Sequence, residues 1–253
     1  MSEFNGKTAL VTGASRGIGA ATAIALARAG CERVLIHYCS EEAGAHQTLA
    51  SVESAGAQGV VLYGDLSSDA GIEEFLALLA PHAGGIGILI NNAGSLVERA
   101  KLAAFTPALF DSVMCLNVKS LYFITQLVAP GMAERGGGTI VNVSSIAARN
   151  GGGPGATIYA AAKAAVSAIT KGLAKELAPA GIRVNAISPG TVDNDFHARF
   201  STREILDAVS KATPQGRLST NEDMADVAVW LCSGASRNVV GQTIEVNGGA
   251  FMI

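Results

Sequence analysis

The stretch 7–19, KTALVTGASRGIG, constrains this chain more than any other. Ala9, Leu10 and Val11 form an apolar run that enters a glycine turn, and an Ala/Ile/Leu-rich segment follows as far as Gly30. A buried strand, a tight turn and a helix in that order open a mononucleotide-binding βαβ unit. Gly13 can take backbone angles closed to other residues, and bare glycines let a ligand's phosphates approach the main chain. Free N–H groups and the positive end of the helix dipole favour a pyrophosphate there. The spacing Gly13-x-x-x-Gly17-x-Gly19 is one residue longer than the G-x-G-x-x-G fingerprint, so by itself it also suits a plain strand-to-helix turn.

The pattern then repeats. Arg33–Tyr38, 59–63, 87–90, 139–143, 183–187 and Thr243–Val246 read as short apolar strands. Between them lie helical stretches at 41–55, 72–80, 158–177, 204–211 and 221–231. Thr106 followed by Pro107 marks a helix start, and that helix is expected to run past Asn117 to about Glu134. Strands separated by helices predict a parallel sheet covered on both faces, an α/β doubly wound Rossmann fold. No linker or repeat interrupts it, so residues 1–253 read as one domain. Gly13, Tyr38, Asp65, Asn91, Ser144-Ser145 and Pro189-Gly190 all fall at carboxyl ends of strands, where open sheets of this type bind ligands.

Composition narrows the classes. At 49% hydrophobic and 15% charged, the chain can bury a sizeable core. A net charge of −3 without a basic block argues against nucleic acid. Cys31, Cys39, Cys115 and Cys232 show no C-x-x-C pairing and read as buried free thiols of a cytoplasmic protein. The four histidines have no metal-ligand spacing, so no metal is expected. Glu3 near the start argues against a signal peptide. The segment 75–97 has no charged residue and the length of a membrane span, but Pro81, His82, four glycines and Asn91-Asn92 interrupt it. Helix end, turn, strand and loop fit it better than a span.

The second informative motif is Tyr159-Ala-Ala-Ala-Lys163. On a helix, positions i and i+4 share a face, and the alanines leave that face clear. A neighbouring ammonium lowers a phenol's pKa from roughly 10, which would suit general acid–base work. A solvated surface pair has the same spacing. Ser144-Ser145 places hydroxyls at a neighbouring strand end, where capping is the plainer role. Asn117 lies inside a helix that its propensity disfavours, which a polar network would explain.

Together, TGASRGIG, NNAG at 91–94, NVSS, YAAAK and SPG at 188–190 resemble the short-chain dehydrogenase/reductase family in order and spacing. The closing segment GRLSTNEDMADVAVWLCSGASRNVVGQTIEVNGG is similar to that family's C-terminal pattern. The resemblance covers nearly the whole chain and is strongest to ketoreductase-type members. It implies hydride transfer between a nicotinamide dinucleotide and a carbonyl or alcohol. Tyr159 would exchange the proton, Lys163 would tune the tyrosine and hold the ribose, Ser145 would position the substrate oxygen, and Asn117 would hold a water leading from Lys163. The cofactor would meet Gly13, Ser15, Arg16, Gly17, Ile18 and Gly19 of the turn, with Tyr38 and Ser40 beyond the second strand. Further along it would meet Asp65 and Leu66, then Asn91, Ala93 and Gly94, and finally Pro189, Gly190, Val192 and Asn194. Asn194 departs from the pattern, because a threonine is usual there. An isomerase or dehydratase on the same fold, or a dinucleotide-binding protein without turnover, remains open.

No acid ends the second strand, and Arg16 resembles the family's basic residue for a 2′-phosphate, so NADP(H) is expected over NAD(H). Glu41 or Glu42 in the acid's role would reverse that expectation. The stretch 191–213 would form the substrate lid. Arg149 would meet an anion or stay solvated, and the glycine-heavy 151–155 would edge the pocket or simply turn. The apolar end Phe251-Met252-Ile253 and the family habit point to a homo-oligomer, a dimer or tetramer.

Overall fold

The computed structural model describes residues 4–253; Glu3 lies outside the described residues. The chain runs β1 (Thr8–Val11), α1 (Gly17–Arg28), β2 (Arg33–Tyr38), α2 (Glu42–Ser54), β3 (Gln58–Tyr63), α3 (Asp69–Ala83) and β4 (Ile86–Asn91). Next come α4 (Pro107–Met114), a widened π turn (Cys115–Lys119), α5 (Ser120–Glu134), β5 (Gly138–Val143), the short α6 (Ala147–Asn150) and α7 (Thr157–Leu177). The chain closes with β6 (Ile182–Pro189), α8 (Asp195–Phe200), α9 (Arg203–Ala212), α10 (Asn221–Cys232) and β7 (Thr243–Val246).

All seven strands pair in parallel, in the order β3-β2-β1-β4-β5-β6-β7. Strand side chains alternate between the faces, so β1 sends Ala9 and Val11 one way and Leu10 the other. Ala9 and Val11 pack with Leu26 of α1, Val52 of α2 and Met224 of α10. Leu10 packs with Phe75 of α3, Ile124 of α5 and Leu173 of α7. Strand order reverses between β1 and β4, and the loops leaving these two strands open a crevice there.

Segment 75–97 divides as its composition suggests, although Pro81 sits inside the last turn of α3 instead of ending it. Ser68 caps α3 by accepting the Gly71 N–H. The run Pro107–Glu134 is long and apolar enough to cross a membrane by length and composition. Here it packs on α3, α7, β4 and β5. In its π turn and just beyond, side chains take up carbonyls one turn back: Asn117 Nδ2 donates to Val113 O and Ser120 Oγ to Leu116 O, each at 2.8 Å. Two cysteine assignments need correcting. Cys31 and Cys232 are buried, but Cys39 is exposed and Cys115 half-buried, because they lie at the edges of the layers.

Candidate active site

A cavity of about 1400 Å³ follows the crevice at the carboxyl ends of β1, β4 and β5. Its first wall is the glycine turn. Gly13 and Gly17 have φ of 63° and 59°, which side-chain-bearing residues adopt with strain. Thr12 Oγ1 accepts the N–H groups of Asn92 and Ala93 at 2.9 and 3.0 Å. Asn92 Nδ2 returns bonds to Thr12 O and Gly13 O. A Cβ on Gly19 would lie 2.2 Å from Gly13 O, so this glycine packs helix on turn and does not line the cavity. The N-terminus of α1 has neither a side-chain cap nor an acid in its first turn. Its leading N–H groups and dipole are left for an anion, and Arg16, Gly17 and Ile18 line the cavity there.

Two N–H groups of this turn are already taken. Gly13 N–H donates to His37 Nδ1 at 2.9 Å, and Ala14 N–H donates to His37 O. Since Nδ1 accepts, the proton sits on Nε2, which donates to Gly64 O at 3.0 Å. Burial pushes the His37 pKa down to about 4, so the neutral ring persists. The free N–H groups expected at this turn therefore do not include those of Gly13 and Ala14. His37 is a cavity-lining residue that sequence reasoning passed over; the only signal was a polar residue within an apolar strand, RVLIHY.

Strand alternation accounts for two further corrections. His37 turns into the cavity, so its neighbour Tyr38 turns away and stacks edge-on against Tyr63. Asn91 points into the sheet, donating to Thr125 Oγ1 and Asn142 Oδ1, while Asn92 reaches the cavity. The remaining expected cofactor positions do line it: Ser15, Ser40, Asp65, Leu66, Ala93, Gly94, Pro189, Gly190, Val192 and Asn194. Asp65 accepts the N–H and hydroxyl of Ser67. Asn194 caps α8 and donates Nδ2 to Asn221 Oδ1 at 3.0 Å, so its amide is engaged by protein.

Tyr159, Ser145 and Lys163 meet across the middle of the cavity. Ser145 is the side chain beside the phenol that favours its ionised form. Ser144 instead faces inward to Lys163 O and Ser167 Oγ. Lys163 Nζ donates to Val143 O at 2.9 Å and lies 5.7 Å from the Tyr159 ring centroid. The expected lowering of the phenol's pKa is reversed here: burial pushes it up to about 12, and Ser145 only partly opposes this. Burial likewise pushes Lys163 down to about 8. Asn117 does not line the cavity but sits directly behind Gly94. A Cβ on Gly94 would meet Asn117 Oδ1 and Lys163 Nζ, each at 2.7 Å. Nδ2 of Asn117 donates to Ser95 O and Val113 O, whereas its buried Oδ1 has no partner.

The far wall is the stretch expected to form a lid. Phe196 and Phe200 of α8, with Ile205 and Leu206 of α9, line it, and the Phe196 ring lies 6.0 Å from that of Tyr159. Gly152, Gly153 and Pro154 edge the same end. Arg149 takes no part. It pairs with Glu245 at 2.9 Å in a half-buried bridge between α6 and β7.

A family model described as enoyl-(acyl carrier protein) reductase matches residues 13–250. A 3-oxoacyl-(acyl-carrier-protein) reductase of Pseudomonas aeruginosa is 38% identical, covering 98% of this chain and 99% of its own. An NADH-dependent reductase responsible for alginate metabolism superposes with a TM-score of 0.88 at 34% identity, over the full length of both chains. A gluconate 5-dehydrogenase of Burkholderia cenocepacia, solved with NADP and tartrate, gives 0.86 at 32% identity, covering 98% of this chain and 97% of that one.

Proposed function

The chain belongs to the short-chain dehydrogenase/reductase family, an oxidoreductase family, and on that footing we propose that it reduces a carbonyl to an alcohol with Tyr159 as proton donor. The observation that carries this reading is the Tyr159–Ser145 pair in the dinucleotide-sized crevice, with Lys163 behind it. A pKa of about 12 keeps the phenol protonated at neutral pH, which is the form that donates. Ser145 offers a hydroxyl to the same substrate oxygen. Lys163, fixed by Val143 O, puts a cation behind the phenol as the proton leaves. The orphaned Oδ1 of Asn117 suits a water that continues this path from Lys163.

The residues fit a nicotinamide dinucleotide: an uncapped helix N-terminus, a glycine cradle and a cavity larger than one small ligand needs. When bound, it supplies or accepts the hydride. We assign NADP(H), supported by Arg16 and Ser40 at the cavity rim and by the lack of an acid at the end of β2. NAD(H) is the second reading. Glu41 also lines the cavity and pairs with Arg16 at 3.5 Å. The whole length is read as one domain. The four free thiols suit a cytoplasmic setting, and exposed Phe110, Tyr122, Met252 and Ile253 suit a homodimer or homotetramer. Depletion of NADPH and NADH across ketones, ketoacyl thioesters, quinones and sugars tests the assignment. Oxidation of neither cofactor by any of them would overturn it.

A further inference from the structure

The lid end of the cavity carries charge that the reduction itself does not use. Arg99 and Lys101 come from the loop after β4 and Arg199 from α8, and all three line the cavity that holds Tyr159. Among the described residues, none of the three is ion-paired with a carboxylate. At the opposite end Arg16 has two, Glu41 at 3.5 Å and Asp195 at 3.8 Å. Asp65, the remaining acid of the lining, is bonded to Ser67.

Both arginines are held in place. Arg99 Nη1 donates to Pro154 O at 2.8 Å. The Arg199 guanidinium lies 5.1 Å from the Phe200 ring centroid, and ring contacts continue from Phe200 to Phe196 at 5.1 Å and on to Tyr159 at 6.0 Å. Between the arginines sits Val97, whose φ of 62° is the only positive value on a non-glycine among the described residues. A β-branched residue is a poor occupant of that region, and such strain gathers at ligand-binding segments. Val97 O accepts from Arg199 Nη2 at 3.5 Å, two residues before Arg99. His197, close to Arg99 and to the exposed Asp193, is pushed down to about 4 by burial, so at neutral pH it adds a polar ring without charge. Asp193 does not line the cavity.

We propose that the substrate carries an anionic group, a carboxylate or a phosphate, held by Arg99 and Arg199 with Lys101 nearby while its reacting oxygen meets Tyr159 and Ser145. Guanidinium forks match both oxyanions in geometry. The inference rests on the carbonyl reduction assigned to Tyr159.

The test measures kcat/KM with NADPH for 4-oxopentanoate against its methyl ester, and for dihydroxyacetone phosphate against dihydroxyacetone. At least one anion is expected to exceed its neutral partner by about tenfold or more, as a charge-assisted contact gives. The pair that responds tells carboxylate from phosphate. The double variant Arg99→Gln/Arg199→Gln should erase that preference through KM, and lysine at both positions should restore part of it. Equal values within both pairs, or a preference untouched by the double variant, would overturn the inference. Calorimetric titration of the two anions into NADP⁺-loaded protein decides the matter if nothing turns over. Binding weakened about tenfold or more by the double variant upholds the anion site and counts against the reduction assigned to Tyr159. No binding, or binding the variant leaves unchanged, sinks the anion site.

Discussion

The cavity has two ends built on different terms. At the glycine-turn end the ligand-facing surface is backbone, cross-tied by buried side chains: Thr12 and Asn92 bind β1 to β4, and His37 binds the turn to the end of β3. At the lid end it is side chain, with exposed arginines and half-buried aromatic rings on short helices. A backbone surface cannot be changed by most substitutions, so it suits a ligand shared by many enzymes. A side-chain surface changes with each substitution, so it suits the ligand that sets one enzyme apart. On the proposed function, the first end would recognise the cofactor and the second would choose the substrate.

That contrast can be broken at several points, beginning where the two ends meet. Tyr159→Phe should cut turnover by about 10²–10⁴ while leaving nicotinamide affinity within a few-fold, read by steady-state kinetics and fluorescence titration. Retained turnover would mean that the junction is not where the proton moves. Within the backbone end, Gly19→Ala would drive a methyl to 2.2 Å from Gly13 O, and overpacking of this kind typically costs about 1–3 kcal/mol. Denaturant unfolding should show that loss, with weaker cofactor binding beside it. His37→Phe leaves the Gly13 N–H unsatisfied at a cost of about 1–3 kcal/mol, whereas His37→Asn keeps an acceptor and should lose less.

His37 also predicts a pH dependence. Its folded pKa of about 4 lies below its ordinary 6.5, so between those values the unfolded chain binds the proton and the folded chain does not. Stability should therefore fall as pH drops from about 6.5 to about 4, with His197 adding to the slope in the same direction. His37→Asn should flatten that slope. The smallest expected effect is at the rim. Arg16→Ala should lower the NADPH-over-NADH preference by about tenfold or less, because its charge is half-exposed and shared with Glu41 and Asp195.

Sequence legibility follows the same division. The strands, their parallel pairing and the glycine turn were readable because each depends on local rules: apolar runs, turn residues and helix stops. Tyr159 and Lys163 were readable as a pair because i and i+4 share a helix face. The sign of the phenol's pKa was not, since it depends on burial by Phe196 and the rest of the lid, which no spacing encodes. Tyr38 and His37 were exchanged for a related reason: a strand's alternation is legible, but which phase faces a ligand is set by its neighbours. Arg149 and Arg99 look alike in the sequence, and only the fold hands one of them a glutamate.

The bare start of α1 has a consequence for attempts to improve this protein. Arg16 stands where many helices carry serine or aspartate, and its side chain caps nothing. Aspartate there would cap the helix by the ordinary rules, but it would also give up two ion pairs and face Glu41 and Asp195 as a like charge. It would also plant a tethered anion in the seat meant for a diffusible one. The variant would work worse, as an enzyme carrying its own inhibitor.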